Sequence, residues 1–463
     1  MLLMMNGGTK VGSESRLAGN AGATLRALLP AGLWTAGYFT LIALPMAVLV
    51  LGPAPGGLGF WWDLSMGLGL SGLAVAAAQS ALTARFRRAG APFGLDILYY
   101  FHRWMGAGTV VLLGGHWLVL HWTAPAALAP ALPGAAPPYM TAGRVALLLF
   151  ALLVATSLGR KSLRIEYDRW RWLHAALAAS GVLLAAIHVW GAGYYSRAPA
   201  ESALLAGYGI GWLMVVGYVR VWRPVRLHAR PYRVTAVRPE RGRSWTLALE
   251  PEGHAGLRFK PGQYAWLTLR ASPFAAREHP FSFSGSAAGG TSLEFTIREL
   301  GDFTRTVGTV APGEVAYVDG PYGSFTVDGY AHAPGFGLIA GGVGIAPIMS
   351  MLRTLADRGD RRPLRLVYAN DRWEDVLFRE ELAALERRLD LEVEHVLLEP
   401  LEGWTGATGY VTEDVLSRTL PGDPSRLVYF LCGPKPMTDA VQAVLRSLGV
   451  PLHRIHHELF DMA

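Results

Sequence analysis

The chain has 463 residues, enough for about three domains. It is 51% hydrophobic with a formal charge of +7. Its apolar residues crowd the first half and its arginines cluster at the ends of apolar runs, so the basic balance reads as membrane topology and argues against a nucleic-acid partner. A single cysteine, Cys432, excludes an intramolecular disulfide, a cysteine-ligated iron–sulfur cluster and a zinc finger, so any redox cofactor is organic or histidine-ligated.

Residues 1–30 read as a flexible polar tail. Six apolar runs follow and are expected to span a lipid bilayer: Leu33–Leu51, Trp62–Leu82, Leu95–His121, Val145–Leu158, Trp172–Tyr194 and Leu204–Val221. The first is longer than a signal-peptide core and reads as a retained span. The fourth is short and is expected to extend back through Arg144, whose long side chain would snorkel to the interface. Basic residues fill the tail, the loop at 85–88, the loop at 160–171 and the segment at 220–230, whereas the loop TAPAALAPALPGAAPPYM, from Thr123 to Met140, has neither Lys nor Arg. The positive-inside rule then places the tail and the C-terminal half in the cytoplasm of a multi-pass protein of the inner (plasma) membrane.

The third run carries His102 and His116, and the fifth carries His174 and His188; each pair is fourteen positions apart. Fourteen steps at 100° fall about 40° short of four turns, so both rings leave one helix face, about 21 Å apart along the axis. That is too far to share one metal. Both runs cross in the same direction, so His102 is expected opposite His174 near the inner face, and His116 opposite His188 nearer the outer face. Two such pairs suit two six-coordinate haems, each iron held by an imidazole on either side. Gly106, Gly108, Gly114 and Gly115 on one run, and an Ala-rich stretch ending at Gly181 on the other, leave room for flat macrocycles. The other readings are interhelical hydrogen bonding and a proton path. His121 has no matching partner and reads as an interfacial histidine or as a residue near the outer site.

After Pro224 the pattern changes to short alternating strands such as YRVTAVRPE, SWTLALEP, QYAWLTLR and SLEFTIREL, the pattern of a small antiparallel β-barrel over residues 225–332. From 333 to 463 strand and helix alternate, which predicts a doubly wound α/β sheet. In LIAGGVGIAPIMSML, a strand meets a glycine turn and a helix start. Gly341, Gly342 and Gly344 would let the backbone approach a pyrophosphate, with the helix N-terminus supplying N–H groups, and Pro347 suits the first helical turn. Arg372 follows a later strand, where the 2′-phosphate of NADPH would lie; its neighbour Asp371 favours the unphosphorylated ribose of NADH. The alternative is an exposed Arg–Asp turn.

The motifs HPFSFS (279–284), IRELGDFT (297–304), GPYGSF (320–325) and FLCGPKPM (430–437), in this order, resemble the ferredoxin–NADP reductase family. FHRWMG and TSLGRKSLRIEYDRWRWLH resemble the third helix, and the stretch before the fifth, of NADPH oxidases. With residues 31–224 as a ferric-reductase-like transmembrane haem domain, the chain resembles a bacterial-type member of the NADPH oxidase/ferric reductase superfamily. That resemblance implies an FAD site on the strand that carries His279, Pro280, Phe281 and Ser282, in which Phe281 packs at the isoalloxazine, Ser282 hydrogen-bonds near N5, and Arg298 with the backbone around Gly301 to Thr304 meets the FAD pyrophosphate. It places Cys432 and Gly433 near the nicotinamide and Phe460 over the flavin ring, with Ser282, Cys432 and Phe460 closest to hydride transfer. The implied activity is electron export: NAD(P)H reduces FAD, and single electrons pass the inner and then the outer haem b to an acceptor outside. The outer loops carry no cluster of Asp, Glu or His suited to an iron chelate, which favours oxygen, reduced to superoxide. A ferric-chelate reductase is the alternative, and a non-redox transporter or proton channel with a fused regulatory domain is the reading from another class.

Overall fold

The computed structural model describes residues 29, 31–48, 59–86, 95–130, 134–193, 199–275, 277–420 and 422–458. The N-terminal tail, Arg87, Arg88 and Phe460 lie outside the described residues. The chain divides into two compact units, Met1–Val219 and Arg220–Ala463.

The first unit is helical: α1 (Ala31–Val48), α2 (Phe60–Leu82), α3 (Leu95–Thr123), α4 (Pro138–Leu158), α5 (Tyr167–Ala192) and α6 (Pro199–Gly217). Among the described residues, five helices are long and apolar enough to cross a membrane, and α3 is not one of them. Five of the six expected spans are therefore met on length and composition. At 29 residues α3 has the length, but three histidines, Arg103 and the indoles of Trp104, Trp117 and Trp122 dilute its hydropathy. The groups that make α3 chemically interesting are the ones that weaken its apolar signal.

Helix α4 does run back through Arg144 to Pro138. The Arg144 side chain is not left to snorkel, however. Its guanidinium donates to the backbone carbonyls of Leu128, Ala129 (2.8 Å) and Pro130 (2.9 Å), pinning the preceding loop. Ala129 there sits at φ +55° and ψ 165°, a backbone region that is essentially glycine's and costs an alanine roughly 1–3 kcal/mol, offset by the three hydrogen bonds around it.

Helices α2 and α3 pack side by side, as do α4 and α5. Small residues permit the close approach: a Cβ on Gly72 would lie 2.9 Å from Leu113, and one on Gly181 3.2 Å from Phe150. Helices α3 and α5 make no comparable backbone contact.

The second unit starts with a helix, α7 (Arg223–His228), and six antiparallel strands: β1 (Tyr232–Glu240), β2 (Ser244–Pro251), β3 (Tyr264–Leu269), β4 (His279–Ser282), β5 (Leu293–Arg298) and β6 (Val315–Tyr322). Their order is β4-β3-β6-β1-β2-β5. The two edges meet, because Phe283 bridges Phe295 and the Ser284 N–H donates to Glu294 O at 2.8 Å, so the sheet closes as a barrel. Alternation turns Leu247, Leu249, Leu267, Phe283 and Phe295 inward, all fully buried. Arg223 of α7 reaches Glu278 (3.4 Å) and Asp319 (3.8 Å) in a buried ion network beside β4.

A parallel sheet follows: β7 (Phe336–Gly341), β8 (Leu364–Asn370), β9 (Leu391–Leu397), β10 (Ala407–Thr408), β11 (Val428–Cys432) and β12 (Ile455–Glu458), ordered β10-β9-β8-β7-β11-β12. The chain leaves β7 in one direction for β8 and returns on its other side as β11. The crevice between the C-terminal ends of β7 and β11 is therefore the topological switch point, where open α/β sheets bind ligands. Helix α9 (Ile345–Asp357) follows β7, and α10 (Arg379–Glu386) precedes β9. Arg353 of α9 ties the sheet to the barrel: it grips Glu381 of α10 with two bonds of 2.7 Å, and also donates to Ser284 O (2.8 Å) and Glu294 (3.0 Å).

Candidate functional site

The histidines of the helical unit come together in the expected pairs. The ring centroids of His102 and His174 are 6.1 Å apart, and those of His116 and His188 are 6.4 Å apart. An imidazole nitrogen sits about 2 Å from a metal it binds, and the ring centroid lies roughly 1 Å further out. Two imidazoles on opposite sides of one metal thus have centroids roughly 6 Å apart. Among the described residues no three His, Cys, Asp or Glu side chains gather as a metal site. Histidines in twos are the donor set for a metal whose other four positions are filled by a macrocycle.

Hydrogen bonds assign the free nitrogen on three of the rings. Nδ1 of His116 faces the Ser65 carbonyl at 2.9 Å, and Nδ1 of His188 faces the Tyr139 carbonyl at 3.0 Å. A carbonyl only accepts, so each Nδ1 carries the proton. The Ser157 hydroxyl donates to Leu153 O (2.6 Å), which leaves its oxygen to accept from Nδ1 of His174 at 3.2 Å. Nε2 is then unprotonated in all three, the form in which imidazole binds a metal, with the outer oxygen fixing the ring.

The fourteen-residue interval recurs beyond the histidines. On α2, Ser65 stands by His116 and Gln79 by His102. On α4, Gly143 stands against the His188 ring and Ser157 against His174. Four helices thus each present one residue at two depths. A Cβ on Gly143 would lie 2.6 Å from His188 Nδ1, and one on Gly69 3.1 Å from His116, so these glycines admit the rings. Gly106, Gly108 and Gly114, between the α3 histidines, face open space: nothing lies within 4 Å of a Cβ placed there. Paired imidazole rings, their spacing and the open Gly106 beside them together fit a flat macrocycle held between two imidazoles at each depth. His121 stacks on Trp117, with centroids 5.1 Å apart.

In the barrel, the two expected flavin segments meet on one aromatic ring. Phe303 lies in α8 (Asp302–Arg305), between His279 (3.9 Å, 24°) and Phe281 (6.0 Å, 18°) of β4. Pro280 shares that strand, and Ser282 ends it, 5% exposed. Gly301 precedes α8, and Thr304 caps it by accepting from the Leu300 and Gly301 N–H groups at 2.8 and 2.9 Å. Arg298 ends β5, and its Nη1 would be 3.3 Å from a Cβ on Gly342. The barrel arginine and the glycine turn of the sheet therefore share one place.

The three glycines of that turn have different reasons to be there. Gly342 has φ +53° and faces Arg298 alone. Gly341 and Gly344 are filled from the other side of the crevice: a Cβ on Gly341 would lie 2.9 Å from Pro434 and Met437, and one on Gly344 2.2 Å from the Cys432 carbonyl oxygen. A Cβ on Gly433 would likewise lie 3.0 Å from Gly341 N. The close approach explained by Gly341 and Gly344 is between two loops of the chain; only Gly342 is open toward a ligand. Gly344→Ala is expected to cost about 3 kcal/mol, since the clash is with backbone. For a unit of this size that lowers Tm by roughly 10 °C. A melting temperature unchanged in Gly344→Ala would count against this packing.

Pro347 is buried in the first turn of α9. Cys432 is fully buried at the end of β11, and burial, followed by the charge of Glu458, pushes its thiol well above the ordinary value. It is a neutral, core-packed group at the C-terminal end of β11, not an acid or base. Arg372 is exposed beyond β8, and its Nε and Nη2 both lie 2.7 Å from Glu399, which follows β9. Backbone bonds zip the two loops together, Leu398 N to Asn370 O (3.0 Å) and Glu399 N to Asp371 O (2.8 Å).

Sequence reasoning missed Phe303, Glu399 and the second layer of Ser65, Gly69, Gln79, Gly143 and Ser157. For the last group a signal existed: small or polar residues fourteen apart in apolar helices, matching the histidine interval. For Glu399 there was none, since its partner is 27 positions away.

Two family models match the chain. One, described as "Ferric reductase like transmembrane component", matches residues 68–186, and the other, "Oxidoreductase NAD-binding domain", matches residues 338–443. Among curated proteins, the chain is 32% identical over 237 residues to the "Propane 2-monooxygenase, reductase component" of Rhodococcus jostii, covering 49% of this chain and 62% of that one. It is 35% identical over 186 residues to the "NADH-cytochrome b5 reductase 1" of Laccaria bicolor, covering 38% and 58%. The chain spans about half to two thirds of the length of the curated relatives it matches. Among solved structures, a flavohemoglobin from Malassezia yamatoensis with bound FAD and heme is similar at a TM-score of 0.48 and 18% identity, over 86% of this chain and 99% of that one.

Proposed function

We propose that this chain, which joins a ferric-reductase-like transmembrane component to a ferredoxin-reductase-type FAD and NAD-binding module, carries electrons from a cytoplasmic nicotinamide dinucleotide across a membrane to oxygen on the far side. The observation that carries the reading is the pairing of His102 with His174 and of His116 with His188, at two depths, in a chain that also holds a dinucleotide crevice. FAD, when bound, converts a two-electron hydride into single electrons, and haem accepts them one at a time.

The chain's own residues prepare each site. His279, Phe303 and Phe281 form a layered aromatic wall for the flavin, with Ser282 at its inner end. Arg298 supplies the cation where barrel and glycine turn meet, suited to pyrophosphate. Gly342 opens the turn to the dinucleotide, and neutral Cys432 packs the core beneath the end of β11. Arg353 holds both lobes in one relative position, so flavin and nicotinamide sites keep their spacing. Ser65, Tyr139 and Ser157 hold protons on Nδ1 of His116, His188 and His174, so that their Nε2 atoms would be available to a haem iron.

Direction follows from charge. The basic loop at 160–171 and the segment at 220–230 belong on the cytoplasmic side, which puts His102 and His174 inside and His116 and His188 outside in a plasma-membrane protein. Oxygen is favoured as acceptor because the outer loops carry no cluster of Asp, Glu or His suited to an iron chelate, and a small neutral molecule needs none. The Glu399–Arg372 pair moves the nucleotide preference from NADPH to NADH, in keeping with the NADH named in the cytochrome b5 reductase relatives.

Oxygen competition tests the acceptor. Purified protein with NADH and a ferric chelate is expected to reduce iron slowly in air and to produce a superoxide-dismutase-sensitive signal. Iron reduction equally fast with and without air, with no such signal, would make the chain a ferric-chelate reductase. Purified protein without a haem absorbance band would return it to the transporter or channel class.

A further inference from the structure

Between the glycine turn after β7 and the loop after β8 lies one buried hydroxyl, that of Tyr368 on β8. It accepts from the Leu377 N–H at 3.2 Å and donates to the Gly342 carbonyl at 3.2 Å. An N–H only donates and a carbonyl only accepts, so the direction of both bonds is fixed. With Leu377 on its lone pair, the hydroxyl turns its own proton to Gly342. Burial pushes the phenol pKa up, so that proton is retained throughout the neutral range.

The consequence lies in the next peptide. The carbonyl of Gly342 and the N–H of Val343 belong to one planar trans peptide and point in opposite directions. Tyr368 draws the carbonyl toward the core of the sheet. The Ile345 N–H reaches it too, but divides itself between the carbonyls of Gly342 and Val343. The Val343 N–H is therefore turned outward. It lies where the turn is open: Gly342 and Val343 are half-buried, whereas Gly341 and Gly344 are fully covered. Gly342, at φ +53°, is also the residue at which this peptide flips most easily, because glycine adopts either sign of φ at little cost. A flipped peptide would present a carbonyl dipole, repelling an anion, on the side that faces Arg298.

Resting on the reading of this crevice as the dinucleotide site, we propose that Tyr368 is a positioning residue that sets the polarity of the glycine turn: by holding the Gly342 carbonyl inward, its hydroxyl presents the Val343 N–H, beside Arg298, to the pyrophosphate of the dinucleotide. The same oxygen holds Leu377, in the loop that also carries Arg372, so one buried atom sets both the pyrophosphate turn and the loop at the ribose end. A phenylalanine would fill the space and leave the peptide free to turn over.

The test is Tyr368→Phe in the full-length holoprotein, a change that keeps the ring and its packing. ADP-ribose, which has the pyrophosphate and no nicotinamide, is the binding probe, measured by calorimetry. Its Kd is expected to rise about tenfold and KM for NADH to rise with it, while the limiting rate of flavin reduction at saturating NADH stays within about twofold. Val343→Pro removes the donor itself and is expected to weaken ADP-ribose by a similar factor, with little further loss when Tyr368→Phe is added, since both act on one N–H. An ADP-ribose Kd within twofold of the parent in Tyr368→Phe overturns the proposal. A fall in the limiting rate that matches the loss of affinity also overturns it, since that marks a general loosening of the sheet. If Tyr368→Phe does not fold with its flavin, Val343→Pro decides: parental affinity there overturns the proposal, and a tenfold loss with FAD retained supports it. A parent protein that binds neither ADP-ribose nor NADH overturns the dinucleotide reading itself.

Discussion

Replacing His116 with alanine is expected to leave one haem per chain instead of two, to leave flavin reduction by NADH at its parental rate, and to cut electron delivery to the outer acceptor by at least about 100-fold. The effect is local because the repeat is long. His102 lies fourteen residues away, about 21 Å along α3, and its ring faces His174, not His188. The hydrogen bonds that hold the inner pair, through Ser157, involve no residue of the outer pair. His188→Ala should match His116→Ala, since either change leaves one imidazole without its opposite. His102→Ala should differ in a diagnostic way: the remaining outer haem is reducible by dithionite and not by NADH, because the inner step is missing. Pyridine haemochrome counts and anaerobic spectra with each reductant measure all of this. A count of one in the parent protein would sink the pairing.

That prediction was legible in the sequence because it depends on spacing within helices. His102, His116, His174 and His188 lie in apolar runs whose geometry is known once they are helices, so equal intervals imply equal depths. The barrel and the parallel sheet were legible for a similar reason: alternation in SWTLALEP and the strand–glycine–helix order of FGLIAGG are local signals. The third span shows where this stops. It reads as an apolar run, Leu95–His121, while its mean hydropathy is lowered by the histidines and indoles it carries. Beyond the histidine pairs, contacts between elements were not legible. Arg144 stood out as an arginine in an apolar run, but nothing in the sequence said that it would turn to the carbonyls of residues 128–130 rather than to the interface. Phe303 was inside a quoted motif, yet its place between His279 and Phe281 is set by the barrel closing on itself. The glycines at 341 and 344 were read as room for a pyrophosphate; the neighbour that needs the room is the Cys432 loop, brought there by the strand order.

The nucleotide preference turns on one such tertiary contact, and it is expected to reverse when that contact is cut. Arg372 alone would be a cation at the C-terminal edge of β8, suited to a 2′-phosphate. Glu399 sits at the same edge of the neighbouring strand, 2.7 Å from two of its nitrogens. A phosphate approaching Arg372 meets a carboxylate first, and like charges at contact cost several kcal/mol. Ribose hydroxyls, in contrast, are donors that a carboxylate accepts. Glu399→Ala is therefore expected to shift the kcat/KM ratio toward NADPH by about 10- to 100-fold, largely through KM for NADPH. Arg372→Ala in the parent should change the preference little, because the cation is already neutralised. In the Glu399→Ala background the same Arg372→Ala change should abolish the gain, and this non-additivity is the signature of a coupled pair. Steady-state kinetics of the four proteins with both nucleotides and a soluble one-electron acceptor measure it without involving the helical unit. A Glu399→Ala variant with the parental ratio would show that the ribose lies elsewhere along the crevice.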